Sequence, residues 1–189
     1  MNTDLAHLLR WILVETSHPG NVGSAARAMK TMGFHDLHLI KPKIQGISKE
    51  SEAIALASGA VDLLESATEH QSLEQAVQGC TLVLGLTSRD REFGPPGINW
   101  QLALSLISEN TQNQGKTALV FGPERTGLEN HHLSLCTHRV WLDANPDYPS
   151  LNLAQALMVC AYTLRQSLQN TTISNAPANQ GPGIDLADP

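Results

Sequence analysis

Residues 117–127 read Thr-Ala-Leu-Val-Phe-Gly-Pro-Glu-Arg-Thr-Gly, an apolar run that passes straight into a loop punctuated by glycine and proline. The run is too short for a helix, and its apolar residues do not alternate with polar ones. It therefore reads as a strand buried on both faces. The same pattern recurs at Trp11–Val14 (W-I-L-V), Leu37–Ile40, Thr81–Gly85 (T-L-V-L-G) and Arg139–Leu142. Between these runs the apolar spacing turns helical over residues 22–32, 51–58, 72–78, 99–109 and 153–169. Val61–Leu64 reads as a further short strand, and His18-Pro19-Gly20-Asn21 as a turn. Strands alternating with helices predict an α/β domain whose parallel sheet is flanked by helices on both faces. One domain is expected over residues 1–169. The 170–189 tail turns to Asn, Thr, Gly, Pro and Asp and is expected to be disordered.

Composition excludes several classes. Of 189 residues, 41% are hydrophobic and 16% charged, which is globular rather than disordered or collagen-like. No apolar run approaches the roughly 20 residues of a membrane span, so no membrane association is expected. Met1–Arg10 is polar and mixed, without a basic-then-apolar leader, which points to a cytoplasmic protein. Cys80, Cys136 and Cys160 lie far apart, an odd and scattered set that suits neither a disulfide framework nor zinc. His131, His132 and His138 lack metal-ligand spacing, and no metal is expected. Net charge is −6, but residues 1–49 hold six Lys and Arg against three acids, whereas residues 50–74 hold six acids and no Lys or Arg. A local basic face of that kind is compatible with a polyanion partner.

In open α/β sheets ligands sit beyond the carboxyl ends of the strands. Four strand-following loops are rich in Gly, Pro and polar residues: 16–27, 86–97, 122–127 and 144–152. The first invites a dinucleotide-binding reading but fails it. The fingerprint needs G-x-G-x-x-G, whereas Gly20 and Gly23 give G-x-x-G, and the second strand ends at Lys41 instead of an acid.

Together the loops resemble a known family. Asn21-Val-Gly-Ser-Ala-Ala-Arg27, Phe121-Gly-Pro-Glu-Arg-Thr-Gly127 and Ser150-Leu-Asn-Leu-Ala154 resemble, in order and spacing, the three motifs of the SpoU branch of the SPOUT RNA methyltransferases. Val14–His18, Ala28–Gly33 and Ala144–Tyr148 add a resemblance to the TrmJ-type tRNA ribose methyltransferases. The likeness covers roughly residues 10–168. It implies a SPOUT fold with a C-terminal trefoil knot and 2′-O-methylation of a tRNA ribose, at nucleotide 32 of the anticodon loop, with S-adenosylmethionine as cofactor. The alternatives are the same chemistry on another tRNA position or on ribosomal RNA, and an RNA-binding module without catalysis. The presence of Asn21, Arg27, Glu124, Ser150 and Asn152 favours the enzyme.

Carried over residue by residue, the family's cofactor loops match Leu86, Thr87 and Ser88; Gly122, Pro123 and Glu124; Leu142; and Pro149, Ser150, Leu151 and Asn152. Backbone groups there could read an adenine while apolar side chains pack its faces. Arg27 matches the family's catalytic arginine, with Asn21 and Ser150 as hydrogen-bonding partners at the reacting hydroxyl. A guanidinium with a pKa above ~12 is a poor base. Orienting a phosphate and stabilising a developing alkoxide suits it better. Glu124 and Asn152 would hold the loops, Glu124 by pairing an arginine. Arg10, Lys30, Lys41, Arg89, Arg91 and Arg125 are candidate RNA phosphate contacts. Tyr162 and Leu164 read as packing. The family's homodimer would form through residues 22–32 and 153–162. TrmJ-type proteins often carry a long C-terminal extension that helps bind tRNA, whereas the tail here holds no Lys or Arg.

Overall fold

The computed structural model describes residues 5–88 and 94–174. Seven strands are seen: β1 (Leu9–Val14), β2 (Asp36–Ile40), β3 (Thr68–His70), β4 (Cys80–Leu86), β5 (Gly97–Asn99), β6 (Lys116–Phe121) and β7 (His138–Trp141). They pair in the order β3-β2-β1-β6-β4-β7-β5, and every pairing is parallel. Register places Trp11 opposite Leu37 and Leu119, and Leu84 opposite Leu119 and His138.

The central strands β1, β6 and β4 are largely apolar because both their faces are covered, as the sequence implied, whereas the edge strands β3 and β5 and the neighbouring β7 carry polar residues. On one face lie α1 (Pro19–Met32), α2 (Ser51–Ala57), α3 (Val61–Glu65), α5 (Trp100–Gln112) and α7 (Leu153–Ser174). On the other lie α4 (Leu73–Ala76) and α6 (Asn130–Leu133). Alternation along β1 sends Leu9, Trp11 and Leu13 to the first face and Ile12 and Val14 to the second. Fully buried Trp11 sits between Phe34 and Phe121, with ring centroids 5.1 and 6.1 Å away. Such pairs add about 0.5–1.5 kcal/mol beyond their buried area.

The structure corrects several expectations. His18–Asn21 is not a turn: His18 is the N-cap of α1, and Pro19, Gly20 and Asn21 are already helical. Pro19 opens α1 at its first position, where its missing N–H costs nothing. Gly20 and Gly23 then serve packing, since a Cβ on Gly23 would lie 2.1 Å from the Ala53 carbonyl oxygen of α2. Val61–Leu64 is helical, not extended: sequence neighbours Leu63 and Leu64 are both buried while Asp62 faces Lys30. β3 and β5, absent from the sequence reading, are three-residue edge strands. Helix α7 continues to Ser174, past the expected boundary at Gln169. Leu164 is buried as expected, but Tyr162 is exposed. Among the described residues no helix is long and apolar enough to cross a membrane.

Candidate active site

The carboxyl ends of β1, β6, β4 and β7 are adjacent in the sheet, and the conspicuous loops converge there. After β1 the chain turns sharply at Glu15, whose φ of 47° lies in the left-handed region. The turn is pinned from β2: Glu15 N–H donates to the Ile40 carbonyl, Lys43 N–H donates to the Thr16 carbonyl, and the Lys43 ammonium pairs with the Glu15 carboxylate. Strain of this kind persists where surrounding bonds hold it. Here it presents Thr16 and Ser17 to the loop after β6.

Glu124 receives them. Thr16 Oγ1 donates to its Oε1 at 2.7 Å and Asn21 Nδ2 to the same oxygen at 2.9 Å. Ser17 N–H and Ser17 Oγ donate to Oε2, each at 3.2 Å. Burial pulls the Glu124 pKa upward, but hydrogen bonds from Asn21, Thr16 and backbone N–H groups outweigh it and hold the carboxyl at about 2. The expected arginine partner is replaced by neutral donors. Asn21 extends the chain of bonds, its Oδ1 accepting from Asn152 Nδ2 at 3.0 Å. Asn152 Oδ1 in turn accepts from Ala154 and Gln155 N–H, capping α7. One carboxylate thus ties all three motif segments together.

Beside this network opens a pocket. Leu86, Thr87 and Ser88 wall it after β4; Gly122, Pro123 and Glu124 after β6; and Leu142, Pro149, Ser150 and Leu151 after β7. Ten of the eleven residues matched to the cofactor loops therefore share one cavity. Asn152 is exposed, does not line the cavity and instead bonds Asn21 and the start of α7. The walls also include Phe121, Gly127 and Leu153, which lie in the motif segments but were not matched to the cofactor, and Val140 and Ala156, which lie outside them. Gly122 has no room for a side chain: a Cβ would lie 2.3 Å from Leu128 N and 2.5 Å from the Gly127 carbonyl carbon. The Gly122–Gly127 loop folds on itself through a 2.8 Å bond from Gly127 N–H to the Pro123 carbonyl, with Gly127 at φ 67°.

The remaining candidates separate. Asn21 belongs to the Glu124 network and Ser150 to the pocket wall, whereas Arg27 lies exposed on α1 and is not part of the pocket wall. Arg125 is exposed at the pocket rim. Arg10 has another task than RNA contact. Its side chain is 16% exposed, and it binds Asp36 Oδ2 at 3.2 Å and the Ala76 carbonyl at 2.6 Å, near the start of β1 and away from the loops. Lys30 Nζ is held by Asp62 Oδ1 at 2.7 Å and the Gly59 carbonyl at 2.9 Å. Lys41 is exposed at a left-handed turn with φ 40°. Arg89 and Arg91 lie outside the described residues. His132 Nδ1 accepts from Glu129 N–H in a cap of α6, and His138 bonds Thr137. Among the described residues no three His, Cys, Asp or Glu side chains are grouped to hold a metal. Burial pushes the Cys136 thiol up to about 12, and Cys160 also upward, as inert core fillers.

Comparison with known proteins identifies the family. The SpoU rRNA Methylase family model matches residues 9–162. A relative from Yersinia pestis (strain Pestoides F), tRNA (cytidine/uridine-2′-O-)-methyltransferase TrmJ, is 42% identical over 93% of this chain and 67% of its own length. A probable methyltransferase from Bordetella pertussis Tohama I superposes with a TM-score of 0.83 at 45% identity, over 88% of this chain and 99% of that one. TrmJ from Z. mobilis ZM4 gives 0.76 at 33% identity, over 90% and 72%. With motif order, fold and overall likeness in agreement, the chain belongs to the SpoU methylase family and, within it, to the TrmJ-type methyltransferases.

Proposed function

We propose that the protein methylates a ribose 2′-hydroxyl of tRNA, at nucleotide 32 of the anticodon loop, using S-adenosylmethionine. The observation that carries this reading is the Glu124–Asn21–Asn152 network at the edge of the pocket, which joins all three motif segments into one site. The pocket suits the cofactor. Leu86, Leu142 and Leu151 offer apolar surface for the faces of an adenine, and the tightly packed backbone at Gly122 brings main-chain polar groups to its edge. Once bound, the cofactor supplies an electrophilic methyl group.

The protein's part is to hold the hydroxyl and manage its charge. Glu124, ionised at neutral pH and fully engaged by donors, fixes the Asn21 amide. Asn21 and Ser150 then orient the incoming hydroxyl. Arg27 contributes a fixed positive charge for the substrate phosphate and the developing alkoxide. We further propose that α1 and α7 form a homodimer interface. Met158, Val159 and Tyr162 leave an apolar stripe exposed on α7, and α7 packs beside α1 through the Arg165 bond to the Met32 carbonyl. A deep knot at the carboxyl ends of β4 and β7 and a cytoplasmic location complete the proposal.

Calorimetry should show heat on titration with S-adenosylmethionine and none with NADPH, and labelled methyl groups should pass to a tRNA transcript. Sedimentation at micromolar concentration should give about twice the 20.4 kDa chain mass. Absence of cofactor heat would reject the function, and a clean monomer would reject the dimer.

A further inference from the structure

The sheet carries an open patch next to the pocket. Arg139 and Trp141 are two residues apart on β7 and project to the face opposite Val140, which is buried in the core under α7. Gly97 of β5 lies beneath them: a Cβ there would sit 2.9 Å from Arg139 Nε and 3.0 Å from Trp141 Cζ3. The glycine lets the guanidinium and the indole lie close against the edge strand. Trp11 is fully buried and Trp100 is 6% exposed, but Trp141 is 41% exposed. A second cavity opens here, between Trp141 and Arg139 on one side and Thr87, Ser88, Leu142 and Pro149 on the other. Those last four residues also wall the first pocket. An occupant of the second cavity is therefore one layer of residues from the reaction site.

We propose that this second cavity takes an unpaired base of the substrate RNA, neighbouring the methylated nucleotide, stacked on the Trp141 indole beside the Arg139 guanidinium. The inference rests on the RNA methyltransferase reading above. A strand whose ribose reaches the mouth of the cofactor pocket must lay its adjacent nucleotides against the surrounding walls. Exposed aromatic rings and guanidinium planes are the surfaces on which unpaired bases stack. A second copy of the chain is disfavoured as occupant, because α1 and α7 cover the opposite face of the sheet.

The test uses the full chain with an anticodon stem-loop RNA. As the most exposed of three indoles, Trp141 should lose emission when RNA is added, and Trp141→Phe should bind RNA without that quench. Stacking on an aromatic side chain predicts that Trp141→Ala raises the KM for tRNA about 10- to 100-fold. Trp141→Phe should stay within about fivefold, and cofactor affinity should be unchanged in both. Quenching that persists in Trp141→Phe, or wild-type KM in a folded Trp141→Ala protein, overturns the assignment. If Trp141→Ala does not fold, the quench comparison decides alone. A dimer lost on substituting Trp141 would assign the face to a second copy and equally overturn it. A wild-type protein that methylates no RNA overturns both readings, whereas normal methylation that ignores Trp141 removes only the base site.

Discussion

Replacing Glu124 by Gln keeps the shape of the hub and removes its charge. The carboxylate accepts four hydrogen bonds, from Thr16, Asn21 and twice from Ser17, at 2.7–3.2 Å. The hydroxyls can rotate to accept from an amide, but the Asn21 NH2 and the Ser17 backbone N–H cannot. Whichever way the new NH2 turns, one of those donors loses its acceptor. Depression of the carboxyl from 4.5 to about 2 corresponds to about 3 kcal/mol of linkage before screening. Glu124 is only half-buried, so about 1–2 kcal/mol is the expected effect. For a domain of this size that lowers the melting temperature by about 2–8 °C at pH 7. The sign with pH follows from the depressed folded-state value. The stabilisation is complete above 4.5 and is lost as pH falls toward 2, so the gap between wild type and Glu124→Gln narrows over that range. Urea unfolding at a series of pH values reads the gap. Equal stability of the two proteins at pH 7, or a gap that does not shrink by pH 3, would refute the assignment of Glu124 as the charged hub.

Gly23→Ala drives a methyl group into the Ala53 carbonyl and should cost about 1–3 kcal/mol as α1 and α2 separate, read as a lower urea midpoint. Asn152→Ala should lose about 1 kcal/mol with the α7 cap. Asn152→Asp should restore that stability but not the methylation rate, since it cannot donate to Asn21. Arg27→Ala should lower single-turnover methylation about 10²–10³-fold with cofactor affinity intact, and Arg27→Lys should recover only part of the rate. Near-normal turnover in Arg27→Ala would remove its catalytic role, and lost cofactor binding would make it structural.

Much of this site is legible in the sequence because it is built from loops whose backbone needs are written in residue type. Gly122 and Gly127 are required by close approach and by a left-handed turn. The apolar strands that aim those loops are equally plain. Thr16 and Ser17 are less so: they meet Glu124 only because β1 and β6 pair in parallel and bring residues more than a hundred positions apart to one edge. A tertiary contact also hides the purpose of Gly23, which local reading gives only to the helix over 22–32 and packing gives to the close approach of α2 at Ala53. β3 and β5 escape notice because three residues at a sheet edge carry no pattern, only backbone pairing. Arg10 resembles a phosphate ligand until the register sets it beside Asp36. Tyr162 reads as core by helical spacing, and its exposure on α7 is a property of the folded surface.

The pocket and the Glu124 network are proposed to serve ribose methylation of tRNA. Mass-spectrometric mapping of methylated nucleotides in tRNA from a strain lacking this gene tests it most directly. A 2′-O-methyl group should disappear from nucleotide 32, return with the wild-type gene and fail to return with Arg27→Ala. An unchanged nucleotide 32, or restoration by Arg27→Ala, would contradict it.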